Sequence, residues 1–161
     1  MTLAEHIQAV QARIAAAAEK AGRDPSEVTL VAATKVQTSE TIRAAIAAGI
    51  TVCGENRAQE FTQHWQDGAY KGAKVHFIGH LQKNKLKYLV GKVDMIESVD
   101  SEELIRLIDK RAQNLGIVQD ILIEVNIGGE ASKSGVKPEE AEALVALAAS
   151  LSSVEPRGLM A

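Results

Sequence analysis

The chain has little that could tie it together covalently or hold it in a membrane. Of its 161 residues one is cysteine, Cys53, so no internal disulfide can form and the composition suits a reducing compartment. No apolar run approaches the roughly 18 to 20 residues that a membrane span needs. The opening MTLAEHIQAVQARI mixes charges with apolar residues at helical spacing and does not read as a secretory leader. A cytoplasmic location is the expectation. Aromatics amount to 3% and the formal charge is -3, so there is neither the basic surplus nor the aromatic supply that would predict nucleic acid as a partner. The four histidines, His6, His64, His76 and His80, form no compact zinc pattern with the lone cysteine, and no metal site is expected. Three motifs are also missing: a glycine-rich dinucleotide turn, a phosphate loop and a GxSxG nucleophile turn.

What the chain does have is an apolar fraction of 46%, drawn largely from Ala, Val, Leu and Ile, enough for one domain of helices layered on a buried sheet. Leu3, Ile7, Val10 and Ile14 share one helical face behind a Thr2/Glu5 capping box, which predicts a first helix to about Lys20. A strand follows at Val28–Ala33, then a helix capped by Thr38 or Ser39 that turns Ile42, Ala45 and Ile46 inward and ends at Gly49. The same unit recurs. ITVCG leads into a helix through ENRAQEFTQHWQ, and KVHFIG into a helix at NKLKYLV. DMIESV leads into a helix opened by Asp100 and Glu103, with Leu104, Ile105, Leu107, Ile108 and Leu115 as its apolar stripe. VQDILIEVNI leads through a glycine-rich loop into a helix near Pro138, and RGLMA begins a sixth strand.

Strands alternating with helices require crossover connections and hence a largely parallel sheet, either open and doubly wound or curled into a barrel. The first strand-to-helix turn, ATKVQTSE, contains no glycine, which favours the barrel. A full (β/α)8 barrel takes about 250 residues. The expectation is therefore a TIM-type α/β barrel of which about six units fall within 1–161, a single domain belonging to a longer whole.

In a barrel the chemistry belongs at the carboxyl ends of the strands. Lys35 follows the first strand there, Gly54, Glu55 and Asn56 the second, Gly79 and His80 the third, Ser98 the fourth, and Glu124 and Asn126 the fifth. A lysine at the rim of an apolar interior could have its ammonium form disfavoured by desolvation, leaving free amine to attack an aldehyde; a loop lysine in solvent is the plainer alternative. Glu55 and Asn56 stand where a helix should start, so dipole and capping roles compete with ligand contact. His80 could orient a ligand or bond to its loop. Lys83, Lys85, Lys87 and Lys92 form a basic run that reads as a solvated helix face, because Leu86, Leu89 and Val90 supply its inward side. In NIGGEASKSGV, Gly128, Gly129 and Gly135 permit tight turns around Lys133.

Taken in order from Val28 onward, LVAATK, GENRAQE, HFIGHLQKNKLKYLV, IESVDS, EVNIGGEASKSG and RGLMA closely resemble the YggS/PROSC family, the pyridoxal phosphate homeostasis proteins. The resemblance implies a barrel like the N-terminal domain of bacterial alanine racemase, of the PLP fold type III kind, with pyridoxal 5'-phosphate (PLP) at its mouth. By the same likeness Lys35 is the Schiff-base lysine, Asn56, His80 and Met160 are cofactor-side residues, and Lys133 has a secondary part in PLP handling. Thr34 stands where many relatives carry serine, which keeps the hydroxyl. The family's phosphate-holding segments follow the sixth strand and have no counterpart among these residues. The implied function is reversible PLP holding and homeostasis, with PLP-requiring apoenzymes as partners, no established turnover, and a monomer or weak homodimer. The alternative is a PLP-dependent amino acid racemase or another amino-acid-metabolising enzyme.

Overall fold

The computed structural model describes residues 1–161. Helix α1, Leu3–Lys20, begins with the anticipated capping box: the Glu5 N–H donates to the Thr2 hydroxyl at 3.2 Å and the Thr2 N–H to the Glu5 carboxylate at 2.7 Å. Its apolar stripe is only partly covered, with Ile7 buried and Leu3 and Val10 still about 40% exposed.

Six strands follow: β1 Val31–Ala33, β2 Val52–Glu55, β3 Lys74–Phe77, β4 Met95–Val99, β5 Gln119–Glu124 and β6 Val154–Met160. Between them lie α2 Ser39–Ala47, α3 Ala58–Gln66, a 3-10 turn at Lys83–Lys85 running into the single turn α4 Leu86–Leu89, α5 Glu102–Leu115 and α6 Pro138–Ser150. Every neighbouring pair of strands is parallel and the spatial order is the chain order, β1 to β6. A doubly wound sheet reverses its strand order at a switch point, whereas strands laid down in sequence with right-handed crossovers put all their helices on one side. The architecture is six consecutive units of a TIM-type barrel, an arc left open between β1 and β6.

Strand residues alternate between the two faces. Cys53, Val75, Phe77, Ile96, Ile121 and Ile123 point toward the helices and are at most 2% exposed, packing with Ile42, Phe61, Leu89, Ile105 and Ile108. Each such isoleucine or phenylalanine contributes about 1.5–3 kcal/mol by leaving water. The other face carries His76, Glu97, Asp120, Leu122 and Glu124, all half-buried. Two polar pairs span it: His76 Nδ1 to Glu97 at 2.6 Å, and Arg157 Nε to Asp120 at 3.1 Å.

Several boundaries differ from expectation for identifiable reasons. β1 starts at Val31, because β2 pairs with it only from Val31↔Val52 onward. β6 starts earlier, at Val154, and its register against β5 shifts around Pro156, which has no N–H for the ladder. In α5 the cap is Ser101, whose hydroxyl accepts the Leu104 N–H at 3.1 Å, and not Asp100. Asp100 instead accepts the Gly135 N–H at 3.3 Å and tethers the loop after β5. Leu115 lies outside the buried stripe at 46% exposure, and Ala112 takes the inward position. No helix is long and apolar enough to cross a membrane.

Cys53 is fully buried on β2, and burial together with the nearby Glu55 charge pushes its thiol up to about 11. The native protein at pH 8 should leave an aromatic disulfide reagent unconsumed and should release one equivalent of chromophore once unfolded in guanidinium. Rapid native labelling would contradict this placement.

Candidate functional site

The carboxyl ends of all six strands form one rim, and the crossover loops that follow them carry the polar residues. Lys35 lies in the first of these loops. The chain leaves β1 through a hydrogen-bonded turn in which the Gln37 N–H donates to the Thr34 carbonyl at 3.1 Å. Its third residue, Val36, has φ +55, where a β-branched side chain is costly by on the order of 1–2 kcal/mol. Val36 and Lys35 are both exposed, and Lys35 makes no hydrogen bond or ion pair. Desolvation by an apolar interior, one of the two possibilities for this lysine, is therefore not what surrounds it; a partnerless amine on a strained, pinned turn is.

The residues beside Lys35 are held from below. Thr34 is buried, its N–H donates to the Gly54 carbonyl at 2.9 Å, and its hydroxyl donates to Glu55 Oε1 at 2.6 Å. The Val36 N–H donates to Glu60 at 3.2 Å, and His64 Nε2 lies 3.0 Å from the Gln37 carbonyl. Glu55 was expected at the start of a helix. It is the last residue of β2 and wholly buried on the helix-facing side, while α3 begins at Ala58 behind Arg57, which provides no side-chain cap. Two further donors reach the same Glu55 oxygen, the Tyr70 hydroxyl at 2.6 Å and His64 Nδ1 at 3.0 Å. Burial first, then the hydrogen bond to Glu55 and its charge, push the Tyr70 phenol far above its ordinary range, so it stays a donor.

Asn56 and His80 come together. A cleft of about 360 Å3 is lined by both, with Arg57, Gln59, Phe77 and Lys85. The Asn56 side-chain oxygen is buried without a partner. Gly79 lets the two loops touch, since a Cβ there would lie 2.4 Å from the Asn56 carbonyl oxygen. His80 is exposed, with Nδ1 3.4 Å from the Ser134 hydroxyl. Lys35 is not among the residues lining this cleft. Met160 ends β6 opposite Glu124 and accepts the Val125 N–H through its carbonyl at 2.8 Å. Lys133 stands apart on the exposed loop after β5, 3.5 Å from Glu130. That loop is closed at its base by Val125↔Val136 and folds over Asn126, whose amide donates to the Glu130 carbonyl at 2.7 Å. Ser98 is buried behind the rim with its hydroxyl unpartnered.

The basic run behaves as a solvated face: Lys83 pairs with Glu103, and Lys85 and Lys87 lie 5.9 and 5.1 Å from the Tyr88 ring. Glu60, His64 and Tyr70 were not singled out from the sequence. Glu60 and His64 fall one helical turn apart on α3, a spacing visible in the sequence, but nothing local in QDGAY signals that Tyr70 folds back on Glu55.

An arc of six parallel strands in chain order, with their helices on one side, defines an α/β domain of the TIM-barrel class. A family model described as the alanine racemase N-terminal domain matches residues 6–161. The pyridoxal phosphate homeostasis protein of Aquifex aeolicus is 44% identical over 160 residues, covering 99% of this chain and 70% of that protein. A crystal structure of a protein from Bifidobacterium adolescentis is similar with a TM-score of 0.91 at 39% identity, covering 98% of this chain and 68% of that one. PipY of Synechococcus elongatus PCC7942, in a structure with PLP bound, is similar with a TM-score of 0.81 at 30% identity, covering 99% and 69%. The chain belongs to the alanine racemase N-terminal domain family and, within it, to the pyridoxal phosphate homeostasis proteins.

Two substitutions test this geometry. Gly79→Ala should cost about 1–3 kcal/mol, because the added methyl meets backbone and not a flexible side-chain end; unchanged thermal unfolding would contradict it. Burial and the neighbouring Asp100 charge push the Glu124 carboxyl up, against a smaller downward pull from His80. A carboxyl raised in the folded state makes ionisation unfavourable to folding above its unfolded value and has no such effect below it. Glu124→Gln should therefore raise the melting temperature at pH 7, with the gain shrinking as pH falls through the carboxylate range and vanishing below it. A gain independent of pH would count against this assignment.

Proposed function

We propose that this protein binds PLP reversibly through Lys35 and serves PLP homeostasis, holding the cofactor without turning over a substrate. The observation that carries the reading is the Lys35 turn: a primary amine at the carboxyl end of β1, exposed, free of any ion pair, and flanked by residues anchored to β2 and α3. PLP bound in the PipY structure, at 30% identity over nearly the whole of this chain, supports it. When bound, PLP supplies an aldehyde that an amine can capture reversibly and a ring and phosphate that need orienting.

The residues present fit that group at its aldehyde end. An amine already tied to a carboxylate would have to give up its partner first, and Lys35 has none. The buried, unpartnered Asn56 oxygen is an acceptor at the same rim, and His80 shares its cleft. We assign Asn56, His80 and Met160 to the cofactor side. Lys133, exposed on a loop, is assigned to a secondary role in receiving or handing on the aldehyde. The protein's partners in this reading are PLP and the PLP-requiring apoenzymes that take it up, in the cytoplasm, with the protein acting as a monomer or weak homodimer.

The test is incubation with PLP, borohydride reduction and peptide mapping. The reduced pyridoxyl group should be found on Lys35, and Lys35→Ala should lower covalent incorporation roughly tenfold or more while leaving folding intact. Lys133→Ala should retain the Lys35 adduct. With PLP and L-alanine in heavy water, the α-proton should persist. Labelling exclusively at another lysine would remove the proposal, and steady loss of the α-proton would turn it into that of a racemase.

A further inference from the structure

We infer that Glu55, His64 and Thr34 are positioning residues that fix the backbone turn presenting Lys35, so that the reach of its amine is set by a carboxylate buried behind the sheet. The inference rests on the reading of Lys35 as the aldehyde-capturing amine. Its physical basis is independent of PLP.

The hydrogen-bond count makes the argument. Glu55 is 0% exposed, and three groups converge on its Oε1: the Thr34 hydroxyl, the Tyr70 hydroxyl and His64 Nδ1. Its second oxygen is buried with no partner. A buried carboxylate satisfied on one side only is a poor stabilising device, and an apolar residue of similar volume is often as good or better in such a place. The arrangement gains its sense from where the donors lead. Thr34 is the residue before Lys35. His64 spans the other flank: Nδ1 faces a carboxylate oxygen and Nε2 a carbonyl oxygen, Gln37, each at 3.0 Å. The ring bridges the buried carboxylate and the carbonyl at the far end of the turn. Two bonds starting from one carboxylate thus grip Thr34 and Gln37, the first and last residues of the hydrogen-bonded turn. Glu60, one turn before His64 on α3, holds the N–H of Val36 inside it.

The grip answers a local problem. Val36 at φ +55 would relax to an ordinary backbone if its neighbours were free, and that relaxation would redirect the Lys35 side chain. Only a surrounding structure that over-determines the turn can keep it there.

Thr34→Val removes the hydroxyl at nearly constant volume and Thr34→Ser keeps it; Val75→Ala, a core change on β3, serves as a control for stability alone. Two readouts are taken on each folded protein: hydrogen–deuterium exchange across residues 34–37, and the rate of borohydride-trapped PLP labelling at Lys35. Thr34→Val should speed exchange at Val36 and Gln37 and slow Lys35 labelling roughly tenfold or more, a misplacement effect. Thr34→Ser should restore both to near wild type, and Val75→Ala should lower the melting temperature without slowing Lys35 labelling. His64→Gln, which removes the ring that bridges Glu55 and the Gln37 carbonyl, should repeat the Thr34→Val pattern. Unchanged exchange and labelling in folded Thr34→Val would overturn the inference. Should wild-type Lys35 take no label at all, the reading of Lys35 fails, and the exchange comparison alone still decides whether the network fixes the turn.

Discussion

One carboxylate oxygen, Glu55 Oε1, receives three donors from three separate parts of the chain, and the local geometry of the rim hangs from it. It joins the end of β1, the end of β2, the last turn of α3 and the segment after α3. In a parallel sheet adjacent strands are covalently joined only through a long crossover, so nothing in the ladder itself dictates how the chain leaves one strand and enters the next helix. A polar knot placed under the exit supplies that instruction. The cost is a buried carboxyl group, offset by the His64 ring and two hydroxyl donors.

The sheet contributes differently. Its helix-facing side is closely packed, with Ile96, Ile105, Ile108, Ile121 and Ile123 all fully buried on the same side as the polar cluster around Glu55. Its inner side carries the His76–Glu97 and Asp120–Arg157 pairs, which satisfy one another where the strands line the concave surface of the arc. The stability of the unit therefore comes from one face, and chemistry is left to the rim and the concave side. Lys35 illustrates the division: its side chain contributes nothing to packing, while every residue beside it is held.

The units of strand and helix were legible in the sequence because each carries its own period, and α1 with its Thr2/Glu5 box appeared as anticipated. Where boundaries moved, a neighbour decided. β1 is short because its partner is short, and Asp100 was displaced as a cap by Ser101 because the carboxylate is engaged by the Gly135 N–H of another loop. Lys35, Asn56 and His80 were singled out along the chain because they interrupt apolar runs at predictable places. Glu60, His64 and Tyr70 were not, since their importance lies in contacts with Glu55, Val36 and Gln37.

The sequence by itself determined that this is an alternating α/β chain with a lysine at the end of its first strand, because hydrophobic period and chain order are local properties. It also carried enough ordered motifs to indicate the family. Tertiary structure alone decided that Glu55 belongs to a strand and not to a helix start. The physical reason is that a carboxylate beside a helix N-terminus and one buried among hydroxyl and imidazole donors look the same along the chain; they differ only in what folding brings to them.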